Sequence, residues 1–591
     1  MPEVADPRRR SDRRALLAVL VGAGVWRAVM AAAAPVISRD GVTFCWHARA
    51  LGERGWAYLR DPTFQQHPLY PALILGVQRA ARALGAPDTP LTWQYSGQLV
   101  SWLSGLTVIA LVGVLALRLV RRLALPVNER LTALLAMLLA AVLDLNVWLS
   151  SDVMSEQVHL TFYLAAVVML VRLDRARTAL IAGLLSGAAF LTRQEGFVPA
   201  LAGIVALSAL GLQRSPPPRG PLVGRAAALL AGFALLATPY WLSIGGLSQK
   251  KDPLKKGAGV FFAAAQRPPT ADSPPLPDGR KRLPPPFVAK LETQDWPWYA
   301  LVPEALYKLL RAGRVVIPLL AVPPLLNLRR QWLGPGLGGV TLCVALHFAL
   351  TLALVHQYDY LAPRHMLVIV VLLTPFAALL LGRIVSLLSD VQRRGLGAIL
   401  VALCLLPSAA YAARIPNSRD AFLRDAANWL RAHDPQVAAK RLLSGSSPRR
   451  IAFYADLRWD YWPEQPEAYE SLVWQIRRGG PGYFAIEVGP GFERHGNREL
   501  VDKLRADERL QGHLGDLHER PGPSSSVRLY LLELCAAQPP RATPTEPPAA
   551  PSPESPCQNP GGRASGPSAD RPAVGPPGGI VRRSRNSVGP E

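Results

Sequence analysis

Cysteine is scarce in this chain: five residues of 591, at positions 45, 343, 404, 535 and 557. They share no metal-binding spacing and are too scattered to argue a disulfide framework, and Cys343 and Cys404 fall inside apolar runs as small core residues. No glycine-rich phosphate cradle of the nucleotide type is present. Acids are outnumbered, 42 Asp and Glu against 65 Lys and Arg, leaving a net charge of +23. Such an excess would suit a nucleic-acid partner if the bases were gathered on one face. Here they alternate with long apolar runs, which excludes that reading.

A span across the hydrocarbon core needs about 20 mostly apolar residues. Eleven candidates approach that length: 15–35, 97–118, 131–149, 157–171, 179–192, 196–212, 222–244, 314–328, 336–356, 366–388 and 396–413. Those at 157–171, 179–192 and 314–328 are short. The expected fold class is a polytopic α-helical membrane protein with about 11 transmembrane helices. Arg27 interrupts the first stretch, and Ala31 to Ala34 lead straight into a loop, so we read a retained span rather than a cleaved signal.

Arginines cluster in alternate loops: Arg8 to Arg14; Arg118, Arg121, Arg122 and Arg130; Arg172, Arg175 and Arg177; Arg214, Arg219 and Arg225; Arg329 and Arg330; Arg383, Arg393 and Arg394. The short loops of opposite parity, 150–156, 193–195 and 357–365, hold only Arg193 and Arg364. Basic short loops favour the cytoplasmic side. The amino terminus is therefore expected inside, and the loop carrying Asp40 and the carboxyl terminus outside.

Two long loops fall on the outer side. The first, 36–95, carries Ser38-Arg39-Asp40-Gly41 and the turn Gln66-His67-Pro68-Leu69-Tyr70-Pro71, followed by an amphipathic stretch to Leu84 that suits the interface. The second, 245–312, contains Lys250 and Lys251, a proline-rich middle from Arg267 to Pro286, and the interfacial aromatics Trp296, Trp298 and Tyr299. From about 415 the chain turns polar. Asp420 to His433 has a helical apolar face. Runs at 451–454, 483–488 and 527–532 read as strands, with helical patterns near 466–478 and 498–506. The expected organisation is a transmembrane domain over 1–414, a small extracytoplasmic α/β domain over 415–535, and a disordered Pro/Ser/Gly-rich tail over 536–591.

A carboxylate where a membrane helix emerges is a functional candidate by default, and Asp40 is the first. Its bland alternative is a pair with Arg39. Asp152 and Glu156 are four apart in the loop between the third and fourth stretches and share a face if a helix starts there. They would hold a divalent cation, orient an acceptor, or simply cap the helix. Arg193 and Arg364 suit bidentate phosphate binding; the alternatives are an Arg193–Glu195 pair and a headgroup anchor at Arg364. Lys250 is a weaker candidate of the same kind. His67 and Tyr70 read as turn structure near the site rather than catalysts; His47 and His365 receive no role.

In order along the chain, these residues resemble the polyprenyl-phosphate-dependent membrane glycosyltransferases of GT-C type, the superfamily of protein O-mannosyltransferases and aminoarabinose lipid A transferases. Asp40 with Phe44 and Ala48 resembles the family's catalytic carboxylate and the aromatic and alanine that follow it. His67-Pro68-Leu69-Tyr70-Pro71 is similar to its His-Pro-Pro-Leu-Tyr-Pro turn. Leu191-Thr192-Arg193-Gln194-Glu195-Gly196 and Tyr360-Leu361-Ala362-Pro363-Arg364-His365 resemble two further segments. The likeness spans about 15–535. Gly41 departs from it, standing where many relatives carry a second acid, as does Phe44 where tyrosine is usual.

The resemblance implies an inverting transfer of a sugar from a polyprenyl-phosphate donor to a lipid, glycan or protein acceptor on the extracytoplasmic face. Asp40 would be the base, Arg193, Arg364 and Lys250 the phosphate ligands, and a divalent cation a possible cofactor. The missing nucleotide cradle agrees with a lipid-linked donor. Two other classes remain open at this point, a transporter or flippase of lipid-linked glycans and a non-catalytic membrane scaffold. The arginine, alanine and proline content suggests a GC-rich bacterial genome and hence the inner membrane.

Overall fold

The computed structural model describes residues 7–61, 63–212, 219–246, 301–332, 334, 336–358, 361–388, 390–444, 448–462, 469–478, 480, 482–488, 498–522 and 527–535. Lys250, most of the second long loop and the tail 536–591 lie outside the described residues. Met1–Ala537 form one compact unit.

All eleven apolar stretches are helical, but they do not make eleven equal spans. Six helices are long and apolar enough to cross a membrane: Arg14–Ala33, Pro90–Arg122, Gln194–Gly211, Gly220–Ile244, Pro363–Leu387 and Gly395–Ala412. Two more candidates are bent pairs, Glu129–Val142 with Asp144–Ser151 (60°) and Leu301–Ala312 with Val316–Asn327 (110°), giving up to eight spans. Glu156–Leu170, Ala176–Phe190 and Gly338–Ala353 are shorter apolar helices. By length and composition the described residues give six to eight spans against the expected eleven, and the three shorter apolar helices account for the difference between eight and eleven.

The helices before the second long loop are α1 (Pro7–Ala33), α2 (Arg39–Arg54), α3 (Leu69–Ala83), α4 (Pro90–Arg122), α5 (Glu129–Val142), α6 (Asp144–Ser151), α7 (Glu156–Leu170), α8 (Ala176–Phe190), α9 (Val198–Gly211) and α10 (Arg219–Ile244). Leu17, Val21, Val25 and Val29 form an exposed apolar stripe on α1, as expected against lipid. Arg27, on the same helix, is fully buried and donates to the carbonyls of Ala23 (3.2 Å) and Ala141 (2.9 Å). At the 110° break Arg314 and Val315 take φ of 52° and 63°. The turn places the Arg314 guanidinium on Asp144 at the start of α6 and 3.5 Å from the Tyr411 ring.

The tightest crossing joins α8 and α10. A Cβ at Gly183 would lie 2.1 Å from the Leu229 carbonyl oxygen, and one at Gly232 would lie 2.3 Å from that of Leu180. Gly183 and Gly187, four apart, give α8 a smooth face on which another backbone can rest.

After the last apolar helix the chain forms a five-stranded sheet of order β2-β1-β3-β5-β4: β1 (Arg441–Ser444), β2 (Arg458–Tyr461), β3 (Gly482–Val488), β4 (Leu514–Pro521) and β5 (Arg528–Leu534). β1 pairs in parallel with β2 and β3, and β5 pairs antiparallel with β3 and β4. The expected helices appear at Ala421–His433, Tyr469–Arg478 and Arg498–Ala506. One element differs: Ile451 to Tyr454 belongs to a helix, Arg449–Ala455, not a strand. Short runs buried on every side carry no periodicity that separates helix from strand. Asp456, at φ 57°, ends this helix.

The sheet layer shares a core with the first long loop. Val36, Ile37, Phe44, Tyr70 and Val153 belong to the same buried cluster as Phe422, Leu442, Ile451 and Tyr454. Trp46 of α2 stacks on Trp459 of β2, with centroids 5.5 Å apart.

Gly183→Leu should cost about 1–3 kcal/mol by overpacking the α8–α10 crossing. Thermal unfolding in detergent measures it, and a midpoint equal to the parent's would contradict the backbone contact.

Candidate active site

Ser38 caps the start of α2, its Oγ accepting from the Gly41 amide at 3.1 Å. Asp40 therefore sits in the first turn of α2, where the helix dipole favours a carboxylate. Gly41 is required by packing. A Cβ there would lie 2.9 Å from the Val153 carbonyl oxygen and 3.1 Å from Ser38 Oγ. The neighbouring acid of the resembling family has no room in this chain.

The Asp40 carboxylate is met by two guanidiniums, Arg364 Nη1 at 3.1 Å from Oδ2 and Arg449 Nη2 at 3.7 Å from Oδ1. Burial alone would raise the Asp40 pKa. The charge of Arg364, then that of Arg449, and the hydrogen bond from Arg364 outweigh it and hold the carboxyl below its usual range, with Arg39 adding less. Arg449 is itself largely buried. Desolvation lowers its pKa to about 10 despite the pull of Asp40.

Arg364 also faces Glu156, at 3.9 Å. Glu156 accepts from Arg193 at 3.1 Å, and Arg193 reaches Glu195 at 3.3 Å. Arg449, Asp40, Arg364, Glu156, Arg193 and Glu195 thus form a ladder of alternating charge. The two arginines and two of the acids singled out from the sequence stand in it together. The Arg193–Glu195 pair is present, but as one rung of a longer series.

Asp152 and Glu156 do not share a ligand position. Asp152 turns to the chain beside Asp40: the Ser38 amide donates to both carboxylate oxygens (3.0 and 3.2 Å), the Val153 amide donates at 2.7 Å, and Asn417 Nδ2 at 3.1 Å. Four residues further on, Glu156 opens α7 and points at the arginines. Asp152 is held by amides, and Asp40 and Glu156 Oε1 by guanidiniums, and these three acids do not converge as a group of metal-ligating atoms among the described residues.

His67 and Tyr70 are buried supports. The His67 ring packs edge-on to Phe190 (5.2 Å), and Tyr70 bonds Ser101 Oγ at 2.8 Å and meets the Phe44 ring edge at 4.9 Å. Phe44 is thus a ring contact without need of a hydroxyl. His47 Nδ1 lies 2.9 Å from the Tyr58 hydroxyl.

Above Asp40 opens a cavity of about 850 Å³ whose walls include Trp46, Tyr58, Gln66, Arg449, Trp459 and Trp474. A second space, about 20 Å³, lies among Glu156, Arg193, Glu195, His347 and Arg364, with room for roughly one water. Arg449 was missed by sequence reasoning. It opens the helix whose residues 451–454 were read as a strand, 409 positions after Asp40, and one more arginine in an arginine-rich chain gives no signal.

The fold is shared with two solved membrane-enzyme structures. ArnT from Cupriavidus metallidurans, bound to undecaprenyl phosphate, superposes with a TM-score of 0.52 at 14% identity over 87% of this chain and 97% of that one. The Archaeoglobus fulgidus oligosaccharyltransferase, crystallised with zinc and sulfate, gives 0.52 at 12% identity over 85% and 71%. No protein-family model and no curated protein sequence matches the chain.

Asp152→Ala should strand the Ser38 and Val153 amides, at about 1–3 kcal/mol for each. Thermal unfolding and limited proteolysis at 35–41 together check it: the melting point should fall and cleavage there should quicken, and an unchanged pattern would remove Asp152 as the anchor of that segment.

Proposed function

We propose that the chain is an inverting glycosyltransferase that moves a sugar from a polyprenyl phosphate to an acceptor hydroxyl at the outer face of the membrane. The observation that carries this reading is a lone acid at a helix start, facing two arginines and a large cavity, in a fold shared with lipid-phosphate-binding ArnT. The acceptor oxygen attacks the anomeric carbon, the bond from that carbon to the phosphate oxygen breaks, and Asp40 takes the acceptor's proton. The lipid phosphate leaves with its charge on Arg364 and Arg193, aided by Lys250. Phosphate is a good leaving group, so positive charge around it matters more than a proton donor.

The small space beside Arg193 and Arg364 has no room for a phosphate while Asp40 and Glu156 hold those guanidiniums. The donor phosphate therefore competes with carboxylates for the same forks. As it takes Arg364, Asp40 loses its nearest cation and becomes a better base in the complex that needs one. The cavity on the other side of Asp40 receives the acceptor, with the sheet layer as its wall. Arg193 and Arg364, the only arginines or lysines in the short loops 150–156, 193–195 and 357–365, meet at one site, which supports the outer placement. The protein is an integral membrane protein, and we place it in a bacterial inner membrane with its amino terminus cytoplasmic.

Asp40→Asn should lower transfer about 10²–10⁴-fold with unfolding unchanged; retained transfer would remove Asp40 as the base, and a transporter or scaffold would keep its activity. The pH profile supplies a second check. In the free protein the depressed carboxyl stays ionised, and keeps its ion pairs, until pH falls through its lowered pKa, so the acid limb of kcat/KM in the parent should lie below the usual carboxylate range. In Arg364→Gln the limb should move to higher pH as a raised KM for donor appears. A limb that stays put would separate Arg364 from Asp40.

A further inference from the structure

The edge of the sheet remote from Asp40 carries a group of side chains that the transfer reaction does not use. We infer that His433, His518 and Glu533 form a zinc site that fastens the helix Ala421–His433 to strands β4 and β5. One ligand atom from each residue, an imidazole nitrogen from each histidine and a carboxylate oxygen, lies within 4.8 Å of the others. His518 Nε2 is already 3.0 Å from Glu533 Oε1.

Each ligand is placed by a feature of its own element. His518 pairs across the ladder with Leu531, so Glu533, two residues on, is its diagonal neighbour on the same face. The register of β4 is irregular between Leu514 and Leu517, immediately before His518, and irregularities of this kind re-aim the side chains that follow. Gly515 lies in that stretch. A Cβ there would stand 3.0 Å from Glu533 Cβ and 3.1 Å from Oε2, so glycine leaves the carboxylate its room. His433 ends its helix and stacks on Trp429, one turn earlier, at 4.5 Å, while the other edge of Trp429 meets His518 at 4.7 Å. The nearby cation Arg520 lies over the Trp429 ring at 3.8 Å.

Two imidazoles and a carboxylate are a ligand set for zinc rather than for calcium or magnesium, which take oxygen. A tetrahedral zinc would bring the three atoms to about 3.4 Å apart. Rotation of His433, exposed at the helix end, closes that distance, and water completes the fourth position. This is not the transfer site. The Asp40 cavity is walled by β1 and β2 at one edge, and His518 and Glu533 lie on β4 and β5 at the other, with His433 on the helix beside them. β2 and β4 are four strand spacings apart, roughly 19 Å.

The test uses the full chain purified in detergent, stripped with chelator and titrated with zinc, the parent beside His518→Ala and Glu533→Gln. Bound metal is counted by elemental analysis and the thermal midpoint is read with and without zinc. The parent should hold one zinc more than either variant and melt several degrees higher with zinc, while magnesium does neither. The variants should lose that equivalent or bind it at least about tenfold more weakly. Glu533→Gln keeps the size and shape of the side chain, so it decides the matter if His518→Ala fails to fold. Equal stoichiometry and equal zinc-induced shifts in parent and Glu533→Gln would overturn the site.

Discussion

A buried carboxylate must find donors or change its charge, and in this protein Asp152 meets that demand with the backbone beside the candidate base. The segment from Pro35 to Ser38 is held from several directions. Asp152 takes the Ser38 amide, Asn417 bonds both Asp152 and the Val36 carbonyl, Tyr454 accepts from the Ile37 amide, and Arg424 donates to the Pro35 carbonyl. These partners come from the bundle and from the chain after the last apolar helix. The position of Asp40 is thus a product of the whole assembly, not of its own loop.

The charge ladder has a different physical character. Its members alternate in sign, so each holds its neighbours in place, and Asp40 at one end borders the large cavity. Guanidiniums paired with carboxylates can exchange one acid for another at modest cost, because the hydrogen bonds lost are replaced in kind. Charges paired in this way neutralise one another in the absence of a ligand. Asp152, by contrast, is bonded to amides that cannot be exchanged, which suits an anchor.

Much of this could be read from residue order. The helical stretches, the amphipathic helix ending at His433, strands β3 and β5, and the choice of Asp40, Arg193 and Arg364 as residues of one cluster were legible in apolar periodicity, in the placement of charge and in the resemblance. Asp152 and Glu156 were found as a pair, but spacing on a nominal helix could not reveal that α7 starts only at Glu156, leaving Asp152 to turn away. Apolar content alone does not separate the helices long enough to span from the shorter α7 and α8, which are equally apolar. Arg449 and the wall of tryptophans depend on contacts between distant parts of the chain, and local pattern carries no trace of them. Gly41, a departure from the resembling family in sequence, is explained by the carbonyl of Val153 on which it rests.

The distance in sequence between Asp40 and Arg449 has a consequence for biogenesis. At ordinary elongation rates of about 5–20 residues per second, the second cation emerges from the ribosome roughly 20–80 s after the acid it faces. During that interval the nascent chain has its first helices in the bilayer while the acid's pocket lacks a wall. The walls around Asp40 are thereby completed only with synthesis of the last layer, and a truncated translation product would lack the Arg449 side of the cavity.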